Sequence, residues 1–398
     1  MAAKKVLFIS GSFGLGHIFR DLAIANQLRQ QRPEIRLSWM AGDPARGVLE
    51  KANENLLPEA AIYTSDSVPA ENAARGVRLN LLRYTLNARK HWAQNVKAFI
   101  QATERERFDC VIADEAYELA VAILKNPRLK KFPFAFIYDF VGLDSMTWNP
   151  LEKLGIYYWN RVWAQDYTIA SERDALLFVG ELEDIPDRPM GPGLPSRQEH
   201  ARRHYRCVGY ILPFDPSDYR DTATVKHSLG YGDEPLVICS VGGTSIGREL
   251  LELCGRAFPI ASQQVPTLRM VMVCGPRLAT ASVRVPAEVE IRGYVPQLYE
   301  HLAACDLAIV QGGGTITLEL TALRRPFLFF PREGDCEQEI AVAGRLARHG
   351  AGVRMSYSET TPESLAEAIL VNLGREIKYP PIPTDGAQRA AEIISALI

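Results

Sequence analysis

The chain has 398 residues, with 45 Lys and Arg against 47 Asp and Glu, a formal net charge of −2. That balance excludes the positive field a nucleic-acid binder needs, and 47% hydrophobic with 23% charged residues excludes a disordered chain. No apolar run approaches the ~20 residues of a bilayer-spanning helix, and at ~100–200 residues per domain the length predicts two or three domains.

Short β-branched runs alternate with helical periodicity along the whole chain. The predicted strands are Val6–Ser10, Arg36–Met40, Cys110–Ala113, Phe134–Tyr138, Leu236–Ser240, Arg269–Cys274, Leu307–Val310 and Pro326–Phe330. Between them lie predicted helices such as Asp21–Gln31, Arg248–Ser262, Leu298–Ala304 and Thr317–Leu323. This α/β alternation predicts βαβ units and doubly wound parallel sheets. Gly and Pro interrupt the pattern over Val208–Glu234, so we place one domain at 1–209 and a second at 210–378. The remaining 379–398 form a C-terminal helix expected to pack back on the first domain. Glu181–Ser196 reads as an irregular loop. The N-terminus lacks the ~7–15 apolar residues of a secretory leader, and seven scattered cysteines without a CxxC pair read as reduced core thiols, so a cytoplasmic protein is expected.

The first candidate motif is the loop Ser10–His17, between the first strand and a helix opening near Ile18. Gly14 and Gly16 let the backbone approach a ligand, and His17 sits at the carboxyl edge of the strand, either as a packed helix-start residue or as a base. Its glycine spacing is not GxGxxG, which counts against a nicotinamide-dependent oxidoreductase. The strand Cys110–Ala113 then runs into Asp114. In a parallel sheet Asp114 shares an edge with His17, where it either caps the following helix or orients the imidazole as a general-base dyad. Asp43 and Asp139 are rival partners after neighbouring strands.

Further on, Val241-Gly242-Gly243-Thr244 opens the second domain with Arg248 beyond it, and Gly293-Tyr294-Val295-Pro296 follows. The strand Leu307–Val310 runs through Gln311 into Gly312-Gly313-Gly314-Thr315, with Glu319 one turn into the next helix. Free amides at that helix start, with the dipole, suit a diphosphate, and Glu319 could accept from a ribose diol. The competing reading is a plain tight turn with a solvated Glu319. No Lys-Ser/Thr pair follows, so this is not a P-loop. Asp335 and Gln338, after Pro326–Phe330, offer polar groups to a sugar.

This ordered series resembles the nucleotide-sugar glycosyltransferases of the GT-B fold. It is nearest to the group of N-acetylglucosaminyl transferases acting on lipid-linked muramoyl-pentapeptide, monogalactosyldiacylglycerol synthases and UDP-glycosyltransferases. The resemblance implies two Rossmann-like domains facing a central cleft, the first holding the acceptor and the second the donor. It implies an inverting transfer of a hexose or N-acetylhexosamine from a UDP-sugar to a hydroxyl, with His17 as base and Asp114 as its partner. Gly313, Gly314 and Thr315 would bind diphosphate, Glu319 ribose, Asp335 and Gln338 the sugar, and Tyr294-Val295 the base. Arg248 and the Gly242–Thr244 amides would meet the leaving diphosphate. Arg20 stands where the family has proline, and Glu337 replaces a glutamine. No paired-carboxylate metal motif lies near the phosphate loops, so no metal and no cofactor is expected; the nucleotide sugar is a substrate. The acceptor is a lipid or a small molecule. Arg75–Phe99, basic with interleaved apolar residues, is either a membrane-contacting segment at the inner face of the membrane or a scaffold helix with a solvated basic side. Two alternatives stay open: a UDP-N-acetylglucosamine 2-epimerase and a non-catalytic sugar-nucleotide-binding subunit.

Overall fold

The structure is a computed structural model describing residues 3–11, 14–76 and 78–398. Ser12 and Phe13 of the first glycine loop, and Val77, lie outside the described residues. In chain order, β1 (Lys4–Ile9) and β2 (Ile35–Met40) precede a two-stranded hairpin, β3 (Ala74–Arg75) and β4 (Arg78–Leu79). There follow β5 (Cys110–Asp114), β6 (Phe134–Tyr138), β7 (Ala175–Val179) and β8 (Arg206–Gly209). The second half contributes β9 (Leu236–Ser240), β10 (Arg269–Val273), β11 (Glu290–Arg292), β12 (Leu307–Gln311), β13 (Phe327–Phe330) and β14 (Val353–Arg354). The first sheet has the order β2-β1-β5-β6-β7-β8 and the second β11-β10-β9-β12-β13-β14, with every neighbouring pair parallel. Both are Rossmann-like doubly wound sheets. Each has a switch point where strand order reverses, between β1 and β5 in the first and between β9 and β12 in the second, and ligands of such sheets bind there.

The strands are apolar on both faces because helices cover both sides. In the first sheet Leu7 and Ile9 join one core with Val111 and Phe136, while Val6 and Phe8 face the other with Trp39 and Ile112. Every one of these side chains is fully buried, worth roughly 1.5–3 kcal/mol each for the aliphatic and phenyl groups. Six of the seven cysteines are buried.

Chain contacts divide the molecule into two compact units. One comprises 1–73, 81–213 and 383–398, the other 74–80 and 214–382. The chain therefore changes unit at Pro213 rather than at residue 209, because Tyr210 and Ile211 still pair with the returning C-terminal segment. Tyr210 donates its amide to Pro383 O (3.0 Å), and Gly386 donates to Tyr210 O (3.1 Å). The final helix, Gly386–Ser395, packs on the helix Gly16–Gln31 within the first unit. The stretch Val208–Glu234, read as a break, carries the helix Thr222–Ser228, capped by Asp221.

Arg75–Phe99 is likewise not one element. Its start forms the β3–β4 hairpin, which belongs to the second unit through Leu79 N donating to Glu333 O (2.9 Å). The helix begins only at Leu81 and runs to Arg105. Six strands escaped the sequence reading, two of them the two-residue strands of the β3–β4 hairpin. β8, β11 and β14 are short edge strands, and the apolar run of β7 has no periodicity to separate it from helix. Among the described residues no helix is long and apolar enough to cross a membrane.

Candidate active site

In the first unit the switch point brings together the residues after β1, β5 and β6. The helix carrying His17 starts at Gly16, two residues before the expected Ile18, so the imidazole sits in its first turn. His17 Nδ1 lies 2.8 Å from Asp114 Oδ2. Gly11 makes the contact available: a Cβ there would meet the His17 ring at 2.9 Å and Asp114 Oδ2 at 3.0 Å. Gly14 is left-handed (φ 78°) and donates its amide to Ser67 Oγ at 3.0 Å.

Around this pair is a charged ring that sequence reasoning did not assemble. Arg20, one turn after His17, is buried; it donates to Asp114 Oδ1, to Asp139 Oδ2 (2.8 Å) and towards His17 Nδ1 (2.8 Å). Burial opposes its charge, but Asp114, Asp139, Glu115 and Asp21 outweigh that and hold the guanidinium well above its usual range. Arginine can only donate. His17 Nδ1 can thus serve one neighbour at a time. As a donor to Asp114 it leaves Nε2 with a free lone pair; as an acceptor from Arg20 it puts the proton on Nε2.

Glu115 faces the other ring nitrogen, its Oε2 3.6 Å from Nε2. Burial first, then the Asp139 charge, push Glu115 well above the usual carboxylate range. Asp139, though buried, is held below that range, chiefly by Arg20. Asp21 is fully buried and bonded by Ser10 Oγ at 2.5 Å. His17, Glu115 and Asp139 each offer one ligating atom within 4.8 Å of the others, a grouping that could hold a cation. Two signals in the sequence mark this ring: an arginine three residues after the histidine on one helix, and an Asp-Glu doublet closing a strand. Asp139 is in the ring as an expected partner; Asp43 ion-pairs with Arg46 instead (2.6 Å).

The second unit places its candidates at the β9/β12 switch point. Gly312 cannot be replaced without cost, since a Cβ would lie 2.9 Å from Pro331 Cα and 3.5 Å from Gln338 Oε1. Gly313 caps the helix Gly314–Ala322, which includes Thr315. Arg345, missed from sequence, donates to Gly314 O at 2.7 Å and braces that first turn. Gln311 and Glu319 are buried, so Glu319 is not a solvated surface residue. Desolvation alone pushes its carboxyl up to about 8. After β9, Gly242 is left-handed (φ 81°) and Thr244 is buried, while Gly243 continues the turn. Asp335 Oδ1 accepts from the Glu337 amide (3.1 Å) and its other oxygen meets Arg332 (3.3 Å); Gln338 Oε1 accepts from Arg332 N (2.9 Å). Tyr294 and Val295 are half-buried after β11. Arg248 is about half exposed and pairs with Glu249 at 3.5 Å.

One unit therefore presents proton-transfer groups and the other a helix start with one desolvated carboxyl. Residues 237–393 match the glycosyltransferase family 28 C-terminal domain. An uncharacterized glycosyltransferase of Methanosarcina mazei is 31% identical over 378 residues, covering 92% of this chain and 89% of the relative. The chain belongs to the nucleotide-sugar glycosyltransferases. A second relative is 24% identical over 374 residues, covering 92% of this chain and 88% of its own length. It is the UDP-N-acetylglucosamine–N-acetylmuramyl-(pentapeptide) pyrophosphoryl-undecaprenol N-acetylglucosamine transferase of Carboxydothermus hydrogenoformans. Among solved structures, the glycotransferase of kitacinnamycin superposes with a TM-score of 0.62 at 15% identity, covering 100% of this chain and 95% of that one. The transferase thus has the GT-B fold.

Proposed function

We propose that this glycosyltransferase moves a hexose or N-acetylhexosamine from a UDP-sugar to a hydroxyl acceptor, with inversion and with His17 as general base. The observation that carries the reading is the 2.8 Å contact of His17 Nδ1 with Asp114, which leaves Nε2 as the proton acceptor. The base takes the acceptor's proton as its oxygen bonds to the anomeric carbon from the face opposite the diphosphate. The electron pair of the broken bond leaves with the diphosphate. The amides of Gly313, Gly314 and Thr315 with the helix dipole hold that charge, and the Gly242–Thr244 turn supplies further donors. Glu319 takes the ribose diol, Gln338 and Asp335 the sugar, and the Tyr294-Val295 backbone the base. A metal is not needed on this reading, since the amides and dipole already meet the diphosphate and Nε2 must stay open for the proton.

The acceptor is lipid-borne on this reading, and the enzyme works in the cytoplasm against the membrane. The support is a set of exposed side chains on two neighbouring helices and just ahead of the second: Leu86 with Arg83, Arg89 and Lys90, and Trp148, Leu151, Leu154 and Tyr158 with Lys153. Exposed apolar side chains with exposed cations on the same helices suit an anionic bilayer surface.

The test is a donor panel read by melting shift, then transfer assays with lipid and soluble acceptors. A nucleoside diphosphate at 100 times its dissociation constant stabilises by ~2.7 kcal/mol. His17→Ala is expected to lower turnover by ~10²-fold or more and to leave that shift intact. An active His17→Ala enzyme removes the base assignment, and a panel without any shift removes the donor site.

A further inference from the structure

Residues Ala74–Asn80 leave the first unit and join the second, yet they add nothing to its core: none of the described hairpin residues is buried, and none belongs to a hydrophobic cluster. A two-stranded hairpin is marginal on its own in water, so this one persists through what it docks on. It docks on the loop that follows β13. Arg78 pairs with Glu333 as a parallel bridge, and Leu79 donates its amide to Glu333 O at 2.9 Å. Gly334 is left-handed (φ 79°), and a Cβ there would lie 2.6 Å from Leu79 O, so the approach of the two backbones requires glycine.

The gripped residues immediately precede Asp335, in a loop that is otherwise knitted together. Asp335 N donates to Arg332 O (3.1 Å), Gly334 N to Glu339 Oε1 (2.6 Å) and Ser358 N to Glu333 Oε1 (3.0 Å). Through the Arg332–Gln338 and Glu337–Asp335 bonds, a shift at Glu333 and Gly334 carries Asp335 and Gln338 with it. The hairpin also meets the opposite flank of the donor corner. A Cβ at Gly76 would lie 3.8 Å from the Glu249 carboxyl, in the first turn of the helix Arg248–Gln264 after β9. β9 and β13 are the two neighbours of β12, about 10 Å apart across it at ~4.8 Å per strand. The hairpin thus bridges the two flanks of the β12 corner.

We propose that the β3–β4 hairpin is a positioning element for the donor sugar: by fixing Glu333 and Gly334 it sets Asp335 and Gln338, and so decides which sugar hydroxyls the loop accepts. The inference rests on the reading of Asp335 and Gln338 as the sugar contacts. A loop built to hydrogen-bond particular hydroxyls rejects a sugar that presents them differently, because its buried polar groups are then left unpaired. The diphosphate and ribose contacts come from another segment, Gly313–Glu319, so sugar discrimination and nucleotide affinity are separable.

The experiment measures dissociation constants of UDP, UDP-glucose, UDP-galactose and UDP-N-acetylglucosamine by calorimetry, without any acceptor. The wild type should separate its best from its worst sugar by at least ~10-fold. Leu79→Pro removes the amide that grips Glu333 and alters no loop residue, while Gly334→Ala forces the same contact apart from the loop side. Each should compress the spread below ~3-fold and keep the UDP constant within ~2-fold of wild type; the double variant should be no worse than either, since both break one contact. Gly374→Ala controls for backbone strain: Gly374 is also left-handed (φ 66°), its Cβ would meet nothing within 4 Å, and the variant should keep the wild-type spread. A spread unchanged in Leu79→Pro, or a loss of UDP affinity equal to that of the sugars, overturns the proposal. So does a wild type that binds all three sugars alike. Asp335→Asn and Gln338→Ala separate the two readings. If they too leave the spread intact, the loop does not read the sugar; if they compress it and Leu79→Pro does not, only the hairpin's role falls.

Discussion

The two units set the same strand–glycine–helix corner at their switch points and fill it with opposite chemistry. After β1, the corner is packed with His17, Arg20 and Asp21 on one helix, met by Asp114, Glu115 and Asp139 from the neighbouring strands. After β12, the corner is almost bare: three glycines, a helix start braced by Arg345, and one buried carboxyl, Glu319. A glycine therefore means different things in the two places. Gly11 clears room for the His17 and Asp114 side chains, whereas Gly312 lets one loop backbone approach another. The fold supplies a crevice twice, and side chains fill one with a charged ring and leave the other a nearly bare helix start.

The largest expected effect breaks the first corner only. With His17→Ala at ~10²-fold or more in kcat, Asp114→Asn should cost less on its own. The double variant should be scarcely worse than His17→Ala, since a partner has nothing left to orient. Fully additive losses in steady-state kinetics would mean that the two act separately.

The next pair of substitutions swaps the damage between units. Gly11→Ala puts a methyl 2.9 Å from the imidazole, so turnover should fall ~10-fold or more while UDP still raises the melting temperature. Gly312→Ala sets a methyl 2.9 Å from Pro331 and should cost ~1–3 kcal/mol of stability together with the UDP shift. If Gly312→Ala bound UDP normally, the β12 corner would not be the diphosphate site.

Most of this contrast lies beyond what the sequence discloses. The apolar runs of β5, β9 and β12 lead directly into Asp114, Gly242 and Gly312, and β1 leads through its glycine loop to His17, so strand and loop signals place those residues at sheet edges. The ring around His17 was not visible, because it depends on which edges are adjacent: Asp139 is 119 residues from the Arg20 it pairs with. Glu115 was hidden for another reason. A period-two reading sends it to the opposite side from Asp114, and only its left-handed backbone turns the carboxyl back toward His17. The Ala74–Asn80 excursion was equally illegible, since a short polar hairpin carries no signal of the unit it will join. Glu319 read as solvated or functional alike, and its burial removes the solvated reading.

A smaller effect sharpens the second corner. Glu319, pushed up to about 8 by burial, is mostly protonated at neutral pH in the free protein. A ribose diol donates best to the ionised form, so UDP affinity should rise between pH 7 and pH 9, and Glu319→Gln should flatten that rise in calorimetric titrations. The stability sign is the reverse. A carboxyl whose folded pKa lies above its unfolded value loses stabilisation as pH climbs from about 4.3 to about 8. Unliganded wild type should therefore soften over that window relative to Glu319→Gln.

The smallest expected effect concerns the outer surface of the first unit rather than its corner. Leu151, Leu154 and Tyr158 recur at helical spacing on the Pro150–Trp163 helix, with Trp148 just ahead of its Asn149 cap. Trp92 and Trp159 meet edge-on at 5.3 Å between centroids and join this helix to Leu81–Arg105, which exposes Leu86. The cations beside them are exposed, so each is screened over ~8 Å at physiological ionic strength and contributes only ~1 kcal/mol near an anionic surface. Binding to phosphatidylserine vesicles should accordingly be weak and salt-sensitive, falling several-fold between 50 and 300 mM salt as rough working limits. Leu151→Ser with Leu154→Ser should lower it at every salt concentration, because the apolar share is not screened, whereas Arg89→Gln with Lys90→Gln should remove mainly the salt dependence. If neither pair changes co-sedimentation, the stripe is ordinary exposed surface, and a soluble acceptor becomes the better partner for the first corner.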